Sequence, residues 1–405
     1  MAKTLISVDS TRPPEDQPTP LHNRWHPDIP PVASVNPGDV FRVECLDWTG
    51  GQIKNDDSPR DVAEVNLNKV HYLSGPIEVA GARSGDILVV DILDIGTFQE
   101  QAWGFTGIFS KNNGGGFLTD IYPEAHKVIW DFDGIYAHSR HIPGVRFAGL
   151  THPGLIGTAP SKELLEVWNK REASLIATNP GRVPPLASPP DPNYALVGSL
   201  QGSEAQRVAR EAARTIPPRE NGGNCDIKNL SRGSRIYFPV YRDGAYLSMG
   251  DLHFSQGDGE ISFCGAIEMA GWLELRVDII KGGMEKYGMD APIFKPGPVE
   301  PRYEEYLVFE GISVDKAGKQ YYLDPFIAYQ NACLHAIEYL KRFGYTGQQA
   351  YSIISAAPVE GRISGIVDIP NACCTLSIPT SIFDFDIRPT DEGPQIKVFT
   401  KSSRE

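Results

Sequence analysis

Apolar and polar residues alternate with a period of two over several stretches of this chain, the mark of strands whose two faces meet different surroundings. Val40 to Ile53 (VFRVECLDWTGGQI) and Ile87 to Gly96 (ILVVDILDIG) are each entered from a Gly-Asp turn signal. Trp272 to Ile280 sets Leu273, Leu275, Val277 and Ile279 against a polar face of Glu274, Arg276 and Asp278. Gly250 to Glu268 predicts strand, tight turn, strand, with Gly257-Asp258-Gly259 reversing the chain. Four stretches carry helix signals instead. Ser161 caps residues 162–176, and Ser203 with Gln206 makes a capping-box pattern for a helix over 204–216 that stops at Pro217. Asp324-Pro325 opens a helix to Gly344 with Phe326, Tyr329, Cys333, Ile337 and Leu340 on one stripe, and Thr346 caps residues 348–356. Two strand-like runs, 361–370 and 371–379, follow.

The remainder reads as connection. The first twenty residues are polar and Pro-rich and would lie loose or wrap over a neighbour. Residues 111–116 form a glycine loop without the strand-to-helix context of a phosphate site, His138 to Ser161 a loop-rich connection, and Asn179 to Asn193 a Pro-rich connector. The expected fold is mixed α+β and β-rich, a sandwich- or barrel-like β core with appended helices. We divide it into a β-rich region (1–160), a helical and Pro-rich connector (161–217), a central β region carrying the site (218–320) and a C-terminal helical hairpin with a β extension (321–405).

Composition narrows the function. The 405 residues are 41% hydrophobic, enough for a packed core, and the net charge of −13 comes without any basic block. That argues against nucleic acid and anionic membrane surfaces as partners and favours small neutral or cationic substrates. The N-terminus lacks an apolar run of signal length, and no stretch is apolar long enough to span a bilayer, so a cytoplasmic location is expected. Six scattered cysteines without C-x-x-C spacing are expected to be reduced.

The chemistry concentrates in GDLHFSQGDGEISFCGAIE, residues 250–268. Strand alternation puts Asp251 and His253 on one face, and the reversal would bring Glu260 and Glu268 alongside. A hydrogen-bonded pair at a hairpin is the bland alternative for Asp251 and His253. Glu268, in an apolar run, needs a cation or an arginine partner, for which Arg235 and Arg276 are candidates. Asp226, in NGGNCD, could equally be a turn carboxylate. His138, His141 and His152 could make a second metal site or be surface residues.

NGGNCD at 221–226, GDLHFSQGDGE at 250–260, GAIE at 265–268 and VDIPNA at 367–372 resemble the acetamidase/formamidase family. DWTGGQIKNDD at 47–57, VHYLSGPI at 70–77 and the long C-terminal extension resemble its formamidase branch, and the likeness covers nearly the whole chain. The resemblance implies a cytoplasmic, self-associating (trimer or multiple of it), metal-dependent enzyme of nitrogen metabolism that hydrolyses formamide to formate and ammonia and acts more slowly on other short aliphatic amides. It points to Asp226, Asp251 and His253 as ligands of a divalent metal, Zn2+ first. Glu268 would be a further ligand or the base, and Glu260 an alternative base. A bound cation would acidify water and polarise the amide carbonyl, while Asn224 or Gln52 would donate a hydrogen bond to the substrate's carbonyl oxygen, His71 would touch substrate or merely cap a strand, and Trp48 or Phe254 would narrow the pocket. Two other readings stay open: a thiol amidase working through Cys225 with Glu220 and Lys228, and a non-catalytic β-rich protein with a structural ion.

Overall fold

The computed structural model describes residues 2–298 and 303–397; residues 299–302 of the central region and 398–405 of the C-terminal extension lie outside it. Two large sheets carry the architecture. The six-stranded one runs in the order Lys3–Ile6, Val40–Cys45, Gly271–Ile280, Ile87–Thr97, Arg235–Pro239, Ile293–Lys295. An eleven-stranded sheet has Phe263–Met269, Leu247–His253 and His152–Gly157 side by side at its centre, with Leu73–Val79 also pairing to Leu247–His253. Val43, Val90, Leu273 and Leu275 of the first sheet share one apolar core with Leu247, Met249, Ile267 and Met269 of the second. This is the mixed α+β, β-rich fold that the alternation predicts.

The chain passes between the sheets at Met269–Gly271, where one strand ends and the next begins. A Cβ at Gly271 would lie 2.2 Å from the Gly96 carbonyl oxygen, so only glycine permits so close a crossing. Beyond it, Leu273, Leu275 and Val277 are buried and Arg276 and Asp278 exposed, as period-two patterning requires.

Three of the four helix starts are capped as expected. Ser161 accepts the Leu164 N–H, Asp324 accepts those of Phe326 and Ile327, and Thr346 with Gln349 completes a capping box. The fourth differs: the helix spans Gly202–Glu211 behind Gln201, which makes no side-chain cap, so Ser203 lies inside it. It ends early because Ala213–Arg214 turn extended to pair with Arg24–Trp25. Long helices Pro325–Lys341 and Gly347–Ala356 pack together, and a three-stranded sheet of Tyr306–Ile312, Cys373–Pro379 and Glu360–Gly365 completes the C-terminal part.

Other expectations are corrected. Lys3–Ile6 is not loose but an edge strand parallel to Val40–Cys45, with Ile6 fully buried. The strand expected through Ile53 stops at Cys45, where Asp47 folds the chain by accepting from Thr49 N, Thr49 Oγ1 and Gly51 N. Residues 138–161 hold the end of the strand Tyr136–Ser139 and two further short strands, one of them, His152–Gly157, at the heart of the sheet.

Candidate active site

Four carboxylates and an imidazole converge beside the central strands. Leu247–His253 pairs with Phe263–Met269 only at Leu252↔Met269 and His253↔Glu268, and with His152–Gly157 through His152↔His253. Phe105, Glu268, His253 and His152 therefore form a row across four adjacent strands. His253 Nε2 lies 3.2 Å from Asp251 Oδ1 and 3.0 Å from Glu268 Oε2. One ligand atom each from Asp226, Asp251 and His253 fits within 4.8 Å, as does one each from His253, Glu260 and Glu268. The expected shared face of Asp251 and His253 is thus present, and both side chains are buried.

The turn after His253 is not the tight reversal that the glycines suggested. Residues 254–262 loop out onto the C-terminal helices: Gly257 N–H donates to Ser355 O, Asp258 N–H to Val359 O, and the Tyr329 hydroxyl to Asp258 O. Glu260 comes back from this loop, its Oε1 accepting the Gly265 N–H. Asp226, Asp251 and Glu260 all adopt left-handed backbone, with φ of 50°, 53° and 46°. Each costs of order 1–3 kcal/mol for a residue with a Cβ, and such strain persists where surrounding structure imposes it, commonly at functional sites.

Burial and crowding of like charge dominate the electrostatics. Burial, then the Asp251 charge, pushes Asp226 up to about 7, and burial pushes Glu268 up to about 8. Glu260 is raised well above the carboxylate range by burial and by Asp226 and Glu268. At Asp251 burial is outweighed by the His253 and His71 rings, which hold it at about 2. Burial would lower His253, but Glu268 and Asp251 prevail and raise it well above 6.5. Among the described residues, no lysine or arginine forms an ion pair with any of the four carboxylates. Arg235 and Arg276, the candidate partners of Glu268, both bind Asp91 instead. Asp226 Oδ1 and Glu268 Oε2 are buried without a hydrogen bond. Orphaned carboxylate oxygens facing an imidazole nitrogen suit a divalent cation.

The remaining predicted residues divide. His71 joins the cluster, its Nε2 3.9 Å from Asp251 Oδ2 and its ring 5.3 Å from that of Trp48. Asn224 sits on the strand beside Leu155, but its NH2 donates to Ile216 O, leaving Oδ1 buried and unpaired. Gln52 closes its own loop, donating to Thr49 O and accepting the Asn66 N–H. Phe254 stacks on Phe132, 3.9 Å away. His138 pairs with Arg146 at a sheet edge and His141 binds Asp57, while His152 stands next to His253, so these three do not form a second metal site. Burial and the Asp226 charge push the Cys225 thiol up to about 12, Lys228 binds Asp258 and Val359 O, and Glu220 binds Arg171 and Trp168.

Gln256 and Gly154, which the pattern did not single out, and His152, which it grouped with other histidines, complete the site. Gln256 and His152 contact His253 Nδ1 at 3.0 and 3.2 Å. Gly154 has no room for a side chain: a Cβ there would meet His253 Cε1 at 2.5 Å and Asp226 Oδ1 at 2.9 Å. A cavity of about 170 Å³ is bounded by Ile53, Trp103, Phe105 and Glu268.

Known proteins place this arrangement. A model of the acetamidase/formamidase family matches residues 7–385. A formamidase of Methylophilus methylotrophus is 65% identical over 396 residues, 98% of this chain and 97% of that protein. An acetamidase of Mycolicibacterium smegmatis is 59% identical over 370 residues, 89% of this chain and 91% of its own. Among solved structures, a gamma lactamase from Delftia acidovorans superposes with a TM-score of 0.97 at 62% identity, covering 98% of both chains. With a family model spanning most of its length and relatives this similar end to end, the chain belongs to the acetamidase/formamidase family.

Proposed function

We propose that this protein is a formamidase that hydrolyses formamide to formate and ammonia and acts more slowly on other short amides. Hydrolysis of a linear amide C–N bond rests on family membership and on relatives named formamidase and acetamidase, which also sets aside the non-catalytic reading. The observation that carries the mechanism is a buried carboxylate cluster with which, among the described residues, no lysine or arginine pairs, two of its oxygens being without a hydrogen bond and one of these 3.0 Å from His253 Nε2. Asp226, Asp251 and His253 would hold a divalent cation, Zn2+ first, with Glu268 beside them. Such an ion, when bound, acidifies water and polarises a carbonyl.

The protein's own groups do the rest. Glu260, less buried than Glu268, would in its ionised form take a proton from the attacking water and return it to the departing nitrogen, so that one water and one amide give one acid and one ammonia. Asn224 offers Oδ1, which accepts; this suits an amide N–H better than the carbonyl oxygen first expected for it. His71, packed on Trp48, walls the site beside Asp251. The cavity bounded by Ile53, Trp103 and Phe105 exceeds what formamide fills, consistent with relatives named for acetamide and a lactam. A cytoplasmic, self-associating enzyme is part of the proposal, supported by six unpaired cysteines and by exposed Ile363, Ile366, Val367 and Ile369.

Ammonia release from formamide, acetamide and propionamide, before and after chelation, tests it. Activity highest on formamide, lost on chelation and restored by Zn2+ supports the reading; undiminished turnover in metal-stripped protein overturns the cation, and silence on every amide overturns the activity.

A further inference from the structure

We infer that Gln256 and His152 are positioning residues that hold a proton on Nδ1 of His253, so that Nε2 is the nitrogen whose lone pair turns to a bound cation. The inference rests on the cation reading above. Gln256 lies in the loop after the strand, 1% exposed, and its amide is oriented by Nε2–H donating to Asp226 O at 2.6 Å. Its Oε1 is thereby turned to His253 Nδ1, 3.0 Å away. An amide oxygen only accepts, so Nδ1 must bear the hydrogen.

His152 adds a second acceptor. Its Nδ1 is 2.6 Å from Leu150 O, and since a carbonyl also only accepts, the neutral ring carries its hydrogen there. The lone pair is then on Nε2, which stands 3.2 Å from His253 Nδ1 and 3.0 Å from the same Gln256 Oε1, and two acceptors in such contact are reconciled by the His253 Nδ1–H shared between them. Two acceptors thus converge on one N–H, so the proton that a bound cation would displace is the one on the opposite nitrogen, which faces Asp251 Oδ1 and Glu268 Oε2. Metal-binding histidines are typically oriented and tautomer-selected this way. Gln256 does more than choose the tautomer. Holding the Asp226 backbone with one end and the His253 ring with the other, it fixes the spacing of two cluster residues from separate segments.

Co2+ titration of metal-stripped protein, followed by visible absorption and calorimetry, reads the effect without turnover. Gln256→Met, near in volume and unable to accept or orient, should bind Co2+ about 10–100-fold more weakly than wild type with unchanged circular dichroism. His152→Leu should weaken binding in the same direction, and His152→Gln, which restores an acceptor, should recover most of the loss, keeping the test usable if Gln256→Met does not fold. Wild type binding Co2+ with Gln256→Met or His152→Leu equally tight overturns the positioning role and leaves the cation reading intact. A wild type that binds no Co2+ overturns both.

Discussion

Gly154→Ala is the smallest change that should disable the site. The added Cβ would stand 2.5 Å from His253 Cε1, 2.7 Å from Nε2 and 2.9 Å from Asp226 Oδ1. Neither side can yield cheaply. The ring is held by Gln256 and His152, and the Gly154 carbonyl accepts from both Cys225 N and Asp226 N, so its strand cannot back away without releasing Asp226. Regaining an ordinary 3.4 Å contact needs a retreat of roughly 0.9 Å; overpacking of this kind costs about 1–3 kcal/mol, and a displacement near 1 Å in a reacting geometry costs about 100-fold in rate. We expect kcat/KM for formamide to fall about 100-fold in an ammonia-release assay, with unfolding in urea showing a loss of only about 1–3 kcal/mol. A folded Gly154→Ala enzyme within about three-fold of wild type would refute the reasoning.

Three further outcomes follow from individual residues. Glu260→Gln should lower kcat by about 100- to 10,000-fold while retaining bound metal; loss of the ion together with activity would make Glu260 a ligand instead. Cys225→Ala should stay active and wild type should yield no hydroxylamine-trapped acyl group, because the thiol is pushed up to about 12 and Lys228 and Glu220 are engaged elsewhere; a dead variant would revive the thiol mechanism. His22 is buried against Ser248 and Arg24 O, and burial takes its pKa from 6.5 down to about 4. The unfolded chain therefore binds the extra proton first, so the neutral ring's contribution is complete above pH 6.5 and fades as pH falls toward 4. Between pH 7.5 and pH 5, about 2 kcal/mol of the wild-type loss in unfolding free energy should be absent from His22→Asn; identical slopes would show that His22 does not titrate this way.

The legible parts of the site were those obeying simple periodicity. Asp251 and His253 share a face because they are two residues apart on a strand, and Glu268 was marked by its apolar surroundings. Asp226 could not be separated from a turn carboxylate by pattern, since its role depends on a backbone pairing far along the chain with Gly154. The strand that sets His152 beside His253 was hidden by chemistry itself: the lack of space beside His253 demands glycine at 154, and glycine next to Pro153 makes a central strand look like a loop. Gln256 and Glu260 sit on a segment whose path is set by Ser355, Val359 and Tyr329, about a hundred residues downstream or fewer, which local turn rules do not register. In the fold, caps at Ser161, Asp324 and Thr346 were readable, whereas Ser203 lies inside a helix that begins at Gly202, and the strand pairing of Ala213 and Arg214 ends that helix early. Lys3–Ile6 read as part of a segment that lies loose or wraps over a neighbour and is instead ordered by the strand at Val40–Cys45.

The most direct test is the metal content of freshly purified, fully active enzyme, measured by elemental analysis against chain concentration and compared with Asp251→Asn. The account predicts about one divalent ion per wild-type chain and close to none in the variant. Full activity with only trace metal would contradict it.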